Sequence, residues 1–485
     1  MNTTELEKYF SKFRNNIVGI NAEFETPFGV KKLIYTDWIA SGRLYGPIEE
    51  KISGVLGPFV GNPHTDSNIT SSFTTEMYEE ARHIIKKHVN ANDDDVLIAA
   101  GYGMTAAVNK LQRILGMRVN NYRYFSPNYP IEEKPVVFIT SMEHHSNQIS
   151  WLTTVADVVR IDFDENYDVD FNDLEEKLEK YKHRKLKIGS FSAASNVTGI
   201  TTDVHKLAKI MHKHGGYCFI DYAGGAPYLE INMHPDDEEE RLDAIFFSPH
   251  KFLGGPGSNG ILIMSKSLYH NIIPDHPGGG TVTWTDPWGG FKFFDDIELR
   301  EDGGTPGFIQ MIKAALAIKL KEEMGVDKIL AREHEIIDYL FDEFEKVDGM
   351  NVFLIDRRDR IGAISFTLDG LHYNLATKLL NDKYGIQVRG GCACAGTYGH
   401  ILFNIGRETS KKITHKIDEN DLSEKPGFVR LSIHPTTSAE ELEVVLEAIK
   451  DIISNKEDYK KLYVYDNKKN EFYHKNFVKS KMTLF

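Results

Sequence analysis

The stretch Ile245-Phe-Phe-Ser-Pro-His-Lys-Phe-Leu-Gly-Gly-Pro-Gly-Ser-Asn-Gly260 joins a short apolar run to a glycine-rich turn. Residues 245–247 predict a buried strand, and Lys251 follows within the turn. A lysine in such a place suits amine chemistry, because desolvation and a nearby positive group lower its pKa and a Schiff base needs the neutral amine. Ser248 and His250 are candidates to bind an anion beside it. A plain surface lysine is the alternative.

Helical and strand patterns alternate around this stretch, from about residue 74 to residue 270. The expected helices are 74–90, 104–116, 171–180 and 203–214, and the expected strands are 96–99, 136–139, 186–191, 217–220, 243–247 and 260–264. Short apolar strands between amphipathic helices predict an α/β fold with a mostly parallel sheet covered by helices on both faces. Ligands of such sheets bind beyond the carboxyl ends of the strands.

The pattern changes after about residue 305 and predicts a second, smaller α+β domain. Helices 305–325, 326–346, 372–384 and 437–453 and a strand at 361–368 are expected there. The expected domains are an N-terminal segment 1–30 packing with the small domain, a large domain 31–304, a linker helix with the small domain 305–455, and an extension 456–485. The extension is either a hairpin or a tail.

Composition excludes several classes of protein. A net charge of −14 argues against general nucleic-acid binding. No apolar run approaches the roughly 20 residues that span a bilayer, and the N-terminus has neither signal nor transit character. Three cysteines form no disulfide framework, so a cytoplasmic protein is expected.

Polar residues follow the expected strands. Gly101-Tyr-Gly-Met-Thr105 opens a helix and offers free amides and a hydroxyl, which suit a phosphate. It is no Walker A loop, because no Gly-Lys-Ser/Thr follows; a plain helix start is the alternative.

Three further strand ends carry side chains suited to a planar cationic ring. Glu143, His144 and His145 are adjacent and point different ways, so they are poor joint metal ligands, but His144 suits stacking on a ring. Asn196 offers an amide to a ring hydroxyl, and Asp221 ends a buried strand, where a carboxylate needs a cation such as a pyridinium or an arginine. Together these are the parts that hold pyridoxal 5′-phosphate.

The chain resembles the fold-type I pyridoxal-phosphate enzymes of the class V aminotransferase group, and within it the cysteine desulfurase/selenocysteine lyase-like proteins. The likeness runs from about Ile34 to Ile452. The motifs that carry it are Met142-Glu-His-His145, Ser195-Asn-Val, Asp221, Ser-Pro-His-Lys251 and Gly304-Thr-Pro306.

The resemblance implies roles for these residues. Lys251 would bind the cofactor covalently, Asp221 would keep its pyridine nitrogen protonated, His144 would stack on the ring, and Asn196 would bond near the ring oxygen. The residues implied to bind its phosphate are Met104, Thr105, Ser248, His250 and, from the neighbouring subunit of a homodimer, Thr305. The chain departs from the family at Gly224, where glutamine is usual, which leaves the reaction at the ring less defined.

The predicted small domain contains Arg389-Gly-Gly-Cys392-Ala-Cys394. Cys392 and Cys394 with His400 could be part of a metal site, although a fourth ligand is not evident, and buried spectator thiols are another reading, expected above all for Cys218. By resemblance Cys394 forms the persulfide, whereas Cys392 has no required role and is a candidate to resolve or relay sulfur.

Arg430 lies in the expected strand before helix 437–453, and Ser438 with Glu441 predicts a capping box. Arginine suits a carboxylate, and by resemblance Arg430 holds the substrate α-carboxylate; a surface arginine is the alternative.

The expected function is that of a homodimeric enzyme that takes sulfur from L-cysteine and releases L-alanine, with Lys251 as base, His144 passing protons and Cys394 accepting sulfur. A sulfur-acceptor protein is the expected partner, and neither nucleic acid, membrane nor metal is expected. The alternatives are another class V reaction (aminotransfer, β-elimination or epimerisation) or a non-catalytic sulfur-relay or binding protein. A nicotinamide dehydrogenase is disfavoured, because no Gly-X-Gly-X-X-Gly follows a first strand.

Overall fold

The structure is a computed structural model that describes residues 3–65, 67–118, 130, 132–478 and 483. The chain divides into two compact units. The small unit comprises Met1–Ala40, Asn196–Ile200 and Asp327–Phe485, and the large unit comprises Ser41–Ser195 and Thr201–Val326. The domain limits expected from the sequence, at 30/31, 304/305 and 455/456, stay a prediction.

The helices are α1 (Glu5–Arg14), α2 (Gly46–Glu50), α3 (Ile69–His88), α4 (Met104–Ile114), α5 (His145–Leu152), α6 (Phe171–Lys180), α7 (Val204–Lys213), α8 (Ile297–Glu301), α9 (Phe308–Met324), α10 (Val326–Phe344), α11 (Tyr373–Tyr384), α12 (Gly396–Leu402), α13 (Arg407–Asp418), α14 (Ala439–Ser454) and α15 (Lys456–Leu462). The strands are β1 (Glu23–Thr26), β2 (Gly29–Lys32), β3 (Ile34–Tyr35), β4 (Asp95–Ala100), β5 (Val136–Thr140), β6 (Asp157–Ile161), β7 (Lys187–Ser192), β8 (Tyr217–Asp221), β9 (Ala244–Phe247), β10 (Gly260–Ser265), β11 (Val282–Thr285), β12 (Phe291–Phe293), β13 (Met350–Val352), β14 (Ala363–Leu368), β15 (Ile386–Gln387), β16 (Arg389–Gly391), β17 (Phe428–Ser432), β18 (Tyr463–Asp466) and β19 (Glu471–His474).

The large unit is built on a seven-stranded sheet with the order β4-β10-β9-β8-β7-β5-β6. β10 runs antiparallel to β4 and β9, whereas the other pairs are parallel. β5, β7 and β9 are buried at every position, as expected of strands covered on both faces. The predicted α/β fold with a mostly parallel, helix-covered sheet is therefore confirmed.

Strand direction determines the edge of this sheet at which the polar residues stand. Because β10 is antiparallel to both β4 and β9, β4 points the same way as the parallel strands, and the carboxyl ends of β4, β5, β7, β8 and β9 lie along one edge. One core cluster packs α4 on β4, β5 and β10, including Leu111, Val96, Val137 and Leu262. The residues that follow these strand ends are those that the sequence indicated.

The small unit contains a four-stranded antiparallel sheet with the order β13-β14-β17-β16. Its core joins β14 and β17 to α10, α11 and α14. α1 belongs to this unit, where Arg14 forms an ion pair of 2.7 Å with Glu441. The predicted capping box at Ser438 and Glu441 is present and begins α14.

Several element limits differ from the sequence prediction, and helix caps explain two of the differences. The helix expected from residue 74 begins at Ile69, because Asn68 Oδ1 accepts a hydrogen bond from Ser71 N over 3.0 Å and caps the helix. The helix expected from residue 437 begins at Ala439, because Ser438 is its cap.

The C-terminal extension forms α15 and a hairpin of β18 and β19, as far as it is described. Tyr463 Oη donates to Asp382 Oδ2 over 2.9 Å, and Asn470 Nδ2 donates to Tyr373 Oη over 2.6 Å. The hairpin thus packs on α11, so the hairpin alternative holds for this part. Within the described ranges, the helices are all too short or too polar to cross a membrane.

Candidate active site

Lys251 lies in a short 3-10 turn, residues 249–251, directly after β9. Lys251 N donates to Ser248 O over 3.0 Å, and Gly42 N donates to His250 O over 2.9 Å, so backbone bonds hold the turn on both sides. Gly42 is needed here, because a Cβ on it would lie 1.9 Å from Phe252 O. The lysine is thus partly buried in a fixed turn.

Asp221 ends β8 and is 3% exposed. Its Oδ1 accepts a hydrogen bond from Ala223 N over 2.8 Å. Burial raises the pKa of Asp221 to about 7; the Ala223 N–H opposes this rise, the Glu143 carboxylate adds to it, and the charge of Lys251 opposes it. The ionised carboxylate would therefore be stabilised by a cation placed beside it.

Glu143 is fully buried between β5 and β7, and burial raises its pKa. Its carboxylate accepts from Thr140 Oγ1 and Ser192 Oγ, each over 2.6 Å, and from Asn147 Nδ2 over 2.7 Å. These bonds join two strand ends to the start of α5. His144 caps α5, because its Nδ1 accepts from Ser146 N over 3.1 Å. Glu143 therefore positions the segment that carries His144.

A cradle of small polar groups lies at the N-terminus of α4. Met104 N donates to Ser248 Oγ over 2.8 Å, and the Thr105 and Ser146 hydroxyls are 2.7 Å apart. A Cβ on Gly103 would lie 3.0 Å from Ser248 Oγ and 3.7 Å from His250 Nε2. The structure thus brings Met104, Ser248 and His250 together at the start of α4.

The His250 imidazole, which lies beside the cradle, is uncharged at neutral pH. Burial, and after it the charge of Lys251, lowers the pKa of His250 to about 4.

Thr305 lies in the exposed segment before α9, with its Oγ1 3.5 Å from Asn62 Oδ1.

In the small unit, Asp37 binds two arginines. Its Oδ1 lies 2.8 Å from Arg430 Nη2, and its Oδ2 lies 2.8 Å from Arg389 Nη2. Arg430 is 3% exposed, and its Nη1 donates to Asn196 O over 3.0 Å. Its buried Nε has no hydrogen-bond partner among the residues that the structure describes. Burial lowers the pKa of Arg430 and the Asp37 carboxylate opposes this. The reading of Arg430 as a surface arginine is wrong.

Two of the three cysteines lie in one turn between β16 and α12. Cys394 is exposed, Cys392 is half-buried and Cys218 is buried. Asn196 Nδ2 donates to Ala393 O over 2.6 Å, so the Asn196 amide here holds the cysteine turn. As predicted, Cys218 is a buried thiol, and burial raises its pKa.

The metal alternative concerned Cys392, Cys394 and His400. Among the described residues, no group of three or more histidine, cysteine, aspartate or glutamate side chains is arranged to hold a metal ion. His400 uses both ring nitrogens within the small unit, on Gly396 O and on Ser410 Oγ.

A family model described as aminotransferase class-V matches residues 34–445. The chain belongs to the class-V aminotransferase family.

Curated relatives and solved structures agree with this assignment. The chain is 28% identical over 400 residues to a probable cysteine desulfurase of Halalkalibacterium halodurans, covering 81% of this chain and 89% of that protein. It is 27% identical over 370 residues to a probable cysteine desulfurase of Staphylococcus aureus, covering 75% of this chain and 84% of that protein.

The fold is also that of solved cysteine desulfurases. The apo structure of the Thermococcus onnurineus enzyme matches with a TM-score of 0.70 at 23% identity, over 94% of this chain and 99% of that one. An Escherichia coli cysteine desulfurase matches with a TM-score of 0.70 at 19% identity, over 92% of this chain and 98% of that one. The predicted fold-type I architecture is therefore confirmed.

The cofactor of class-V aminotransferases is pyridoxal 5′-phosphate, and the large unit fits it. The Asp221 carboxylate at the end of β8 suits a pyridinium cation, and the Gly103 cradle offers the Ser248 and Thr105 hydroxyls and the N-terminus of α4 to a phosphate. Lys251 would supply the amine. The residues present thus suit both ends of the cofactor.

Three residues have contacts that no local sequence pattern indicates. Nothing near Asp37 in the sequence shows that it binds two arginines. Glu143 belongs to the Glu-His-His run and to the Met142–His145 motif, neither of which indicates that its carboxylate joins two strand ends. Lys321, on α9, is buried and donates to Ala226 O over 2.7 Å, which holds the loop that contains Gly224; burial lowers its pKa to about 7. α9 also carries Lys313 and Lys319, so the sequence gives no local signal that singles out Lys321.

Proposed function

We propose that this protein is a cysteine desulfurase that transfers the sulfur of L-cysteine to Cys394 and releases L-alanine. The observation that carries the proposal is that the exposed Cys394 belongs to the same small unit as the buried, Asp37-bound Arg430. The large unit carries Lys251 and Asp221, which suit the cofactor. The family match and the names of the relatives support it.

Bound pyridoxal phosphate supplies an electron sink that makes the α-proton of an amino acid acidic. Asp221 favours this by keeping a cation at the ring nitrogen. Lys251 Nζ acts as the general base that takes the α-proton, and as the general acid that returns a proton later in the reaction. His144, held by its cap position on α5, is placed to pass protons.

Arg430 binds the substrate carboxylate. Its Nη2 and Nη1 already have partners in Asp37 and Asn196, so the guanidinium is held in one orientation. The buried Nε has hydrogen-bonding capacity left. An arginine with a fixed plane suits a carboxylate, because two parallel hydrogen bonds then form without further ordering.

The Cys394 thiolate attacks the substrate sulfur. A sulfur–sulfur bond forms, the carbon–sulfur bond breaks, and its electron pair stays on the substrate carbon, which is then protonated to give alanine. The thiolate is the nucleophile in such steps. Cys394 suits this role because it is exposed, whereas Cys218 is buried.

The proposal includes a homodimer in the cytoplasm, with Thr305 reaching the phosphate of the neighbouring subunit and a protein accepting the sulfur. The hairpin of β11 and β12 supports the dimer, because Trp284, Trp288 and Phe291 are 64%, 89% and 60% exposed. The three free thiols support a reducing compartment. Sedimentation of the wild type and of Trp288→Asp tests the dimer: a monomer in the wild type would contradict it.

An absorption spectrum of the purified protein, repeated after adding L-cysteine, tests the function. We expect a visible band of lysine-bound cofactor that changes with L-cysteine, together with equal amounts of alanine and transferred sulfur. Lys251→Ala should lack that band. Cys394→Ser should bind the cofactor but lose sulfur transfer. A keto acid, ammonia or racemised amino acid in place of alanine would instead indicate another class V reaction.

A further inference from the structure

Residues 392–395 form a tight turn that contains two cysteines, Cys392 and Cys394. Ala395 N donates to Cys392 O over 3.0 Å, which closes the turn. Its two central residues, Ala393 and Cys394, have φ angles of 48° and 57°. Residues with a Cβ rarely adopt this left-handed region, because the Cβ crowds the following carbonyl oxygen. Backbone held in this way is characteristic of functional sites.

Buried groups hold the turn in this conformation. Asn196, which is 7% exposed, donates from Nδ2 to Ala393 O over 2.6 Å. Ala395, at the end of the turn, is completely buried and leads into α12. The turn is thus fixed at its centre and at its end, while Cys394 faces solvent and Cys392 is half-buried.

The turn geometry suits a bond between the two thiols. The Cα atoms of the first and third residues of such a turn are about 5.5 Å apart, and disulfides span Cα separations of about 4.4–6.8 Å. Neither cysteine is held by a metal cluster among the residues described.

We propose that Cys392 is the resolving thiol of the reaction. This inference rests on the proposed function, because it takes the persulfide on Cys394 as its substrate. The Cys392 thiolate attacks the sulfur of Cys394 that is bonded to carbon. A Cys392–Cys394 disulfide forms, the outer sulfur–sulfur bond breaks, and hydrosulfide leaves with the electron pair of that bond.

This step balances without an external oxidant, because the persulfide already carries the oxidising equivalents. A dithiol reductant then opens the disulfide by thiol–disulfide exchange and restores both thiols. The chain therefore releases one equivalent of sulfide without a reductant, and it repeats the release only when such a reductant restores the two thiols. It keeps the sulfur on Cys394 when Cys392 is absent.

The first test uses protein without cofactor and so does not depend on the proposed function. Wild type and the Cys392→Ser, Cys394→Ser and Cys218→Ala variants are equilibrated in glutathione buffers of increasing oxidation, quenched with acid and weighed intact. The wild type and Cys218→Ala should lose two hydrogen atoms in one two-electron transition. Cys392→Ser and Cys394→Ser should instead gain glutathione. Glutathione addition to the wild type without an internal disulfide would overturn the proposal.

The second test uses the holoenzyme with one equivalent of L-cysteine and no reductant. The wild type should release alanine and sulfide and become two hydrogen atoms lighter, whereas Cys392→Ser should release alanine and stay one sulfur atom heavier. If the wild type formed alanine but retained the extra sulfur as Cys392→Ser does, the resolving role would be wrong while the desulfurase stood. If no variant formed alanine, the proposed function itself would fail.

Discussion

The Asp37 carboxylate lies 2.8 Å from Arg430 Nη2, and its second oxygen lies 2.8 Å from Arg389 Nη2. One carboxylate thus neutralises two guanidinium groups that come from neighbouring strands, β17 and β16. Arg430 is buried and has no other carboxylate partner among the described ion pairs, so its charge depends on Asp37.

Asp37→Asn should therefore destabilise the protein. Removing one partner of a buried ion pair leaves the other charge buried and uncompensated, which costs about 3–5 kcal/mol. The measurement is the free energy of unfolding by urea, followed by circular dichroism. Glu408→Gln is the matched control, because it breaks an exposed ion pair with Lys411 and should leave the midpoint unchanged. Equal midpoints for both variants would refute the dependence of Arg430 on Asp37.

Arg430→Lys should weaken binding of L-cysteine far more than it slows the chemical step. A lysine keeps the charge but cannot make two parallel hydrogen bonds to a carboxylate. A hydrogen bond between charged groups contributes about 1.5–3 kcal/mol, so KM should rise roughly ten- to hundredfold. Steady-state kinetics of alanine formation check this. An unchanged KM would exclude Arg430 from substrate binding.

The stability of the protein without cofactor should depend on pH through Asp221. Its pKa is about 7 in the folded chain, against an ordinary value of 3.8. Between these values the folded state binds more protons than the unfolded state, so the free energy of unfolding falls as pH rises. Lowering the pH from 7 to 5 should add about 2 kcal/mol of stability.

Thermal unfolding of wild type and Asp221→Asn at several pH values measures this contribution, since the other groups, including Glu143, titrate in both proteins and largely cancel. The pH dependence of the difference in stability between the two proteins should become smaller when pyridoxal phosphate is added, because a pyridinium then pairs with the carboxylate and keeps it ionised. Parallel curves for the two proteins without cofactor would contradict the raised pKa.

Local pattern was enough to predict the mostly parallel sheet and the strand ends at which the candidate site residues stand. Lys251, Asp221, Met104 and Ser248 each follow or adjoin an apolar strand, and parallel strands bring their carboxyl ends to one edge. Their convergence therefore follows from strand order, which hydrophobic periodicity and short connections already restrict.

The small-unit contacts could not be predicted in the same way. Asp37 is 393 residues from Arg430 and 352 from Arg389 along the chain, and no periodicity links positions so far apart. The role of Asn196 toward the Ala393 carbonyl was likewise hidden, because it depends on the left-handed turn at residues 393 and 394. Such a turn normally signals itself by glycine, which is absent at both positions.

Gly103→Ala should weaken binding of pyridoxal phosphate. A Cβ at this position would lie 3.0 Å from Ser248 Oγ, inside the cradle that we assign to the phosphate. Overpacking costs about 1–3 kcal/mol, so the Kd should rise roughly five- to hundredfold. Fluorescence titration of cofactor-free protein measures it. Gly406→Ala is the control, because a Cβ there meets no atom within 4 Å; equal affinities in the two variants would place the phosphate elsewhere.

Tyr463→Phe should destabilise the small unit, although it removes only the hydroxyl group of one side chain in the C-terminal hairpin. Tyr463 is 5% exposed, and its hydroxyl donates to the buried Asp382 over 2.9 Å. The loss leaves a buried carboxylate oxygen with one donor fewer, which costs about 1–3 kcal/mol. Tyr473→Phe, in the same hairpin but 48% exposed, should have no measurable effect. Urea unfolding of both variants checks this, and an equal loss in both would mean that the hairpin is not anchored through Tyr463.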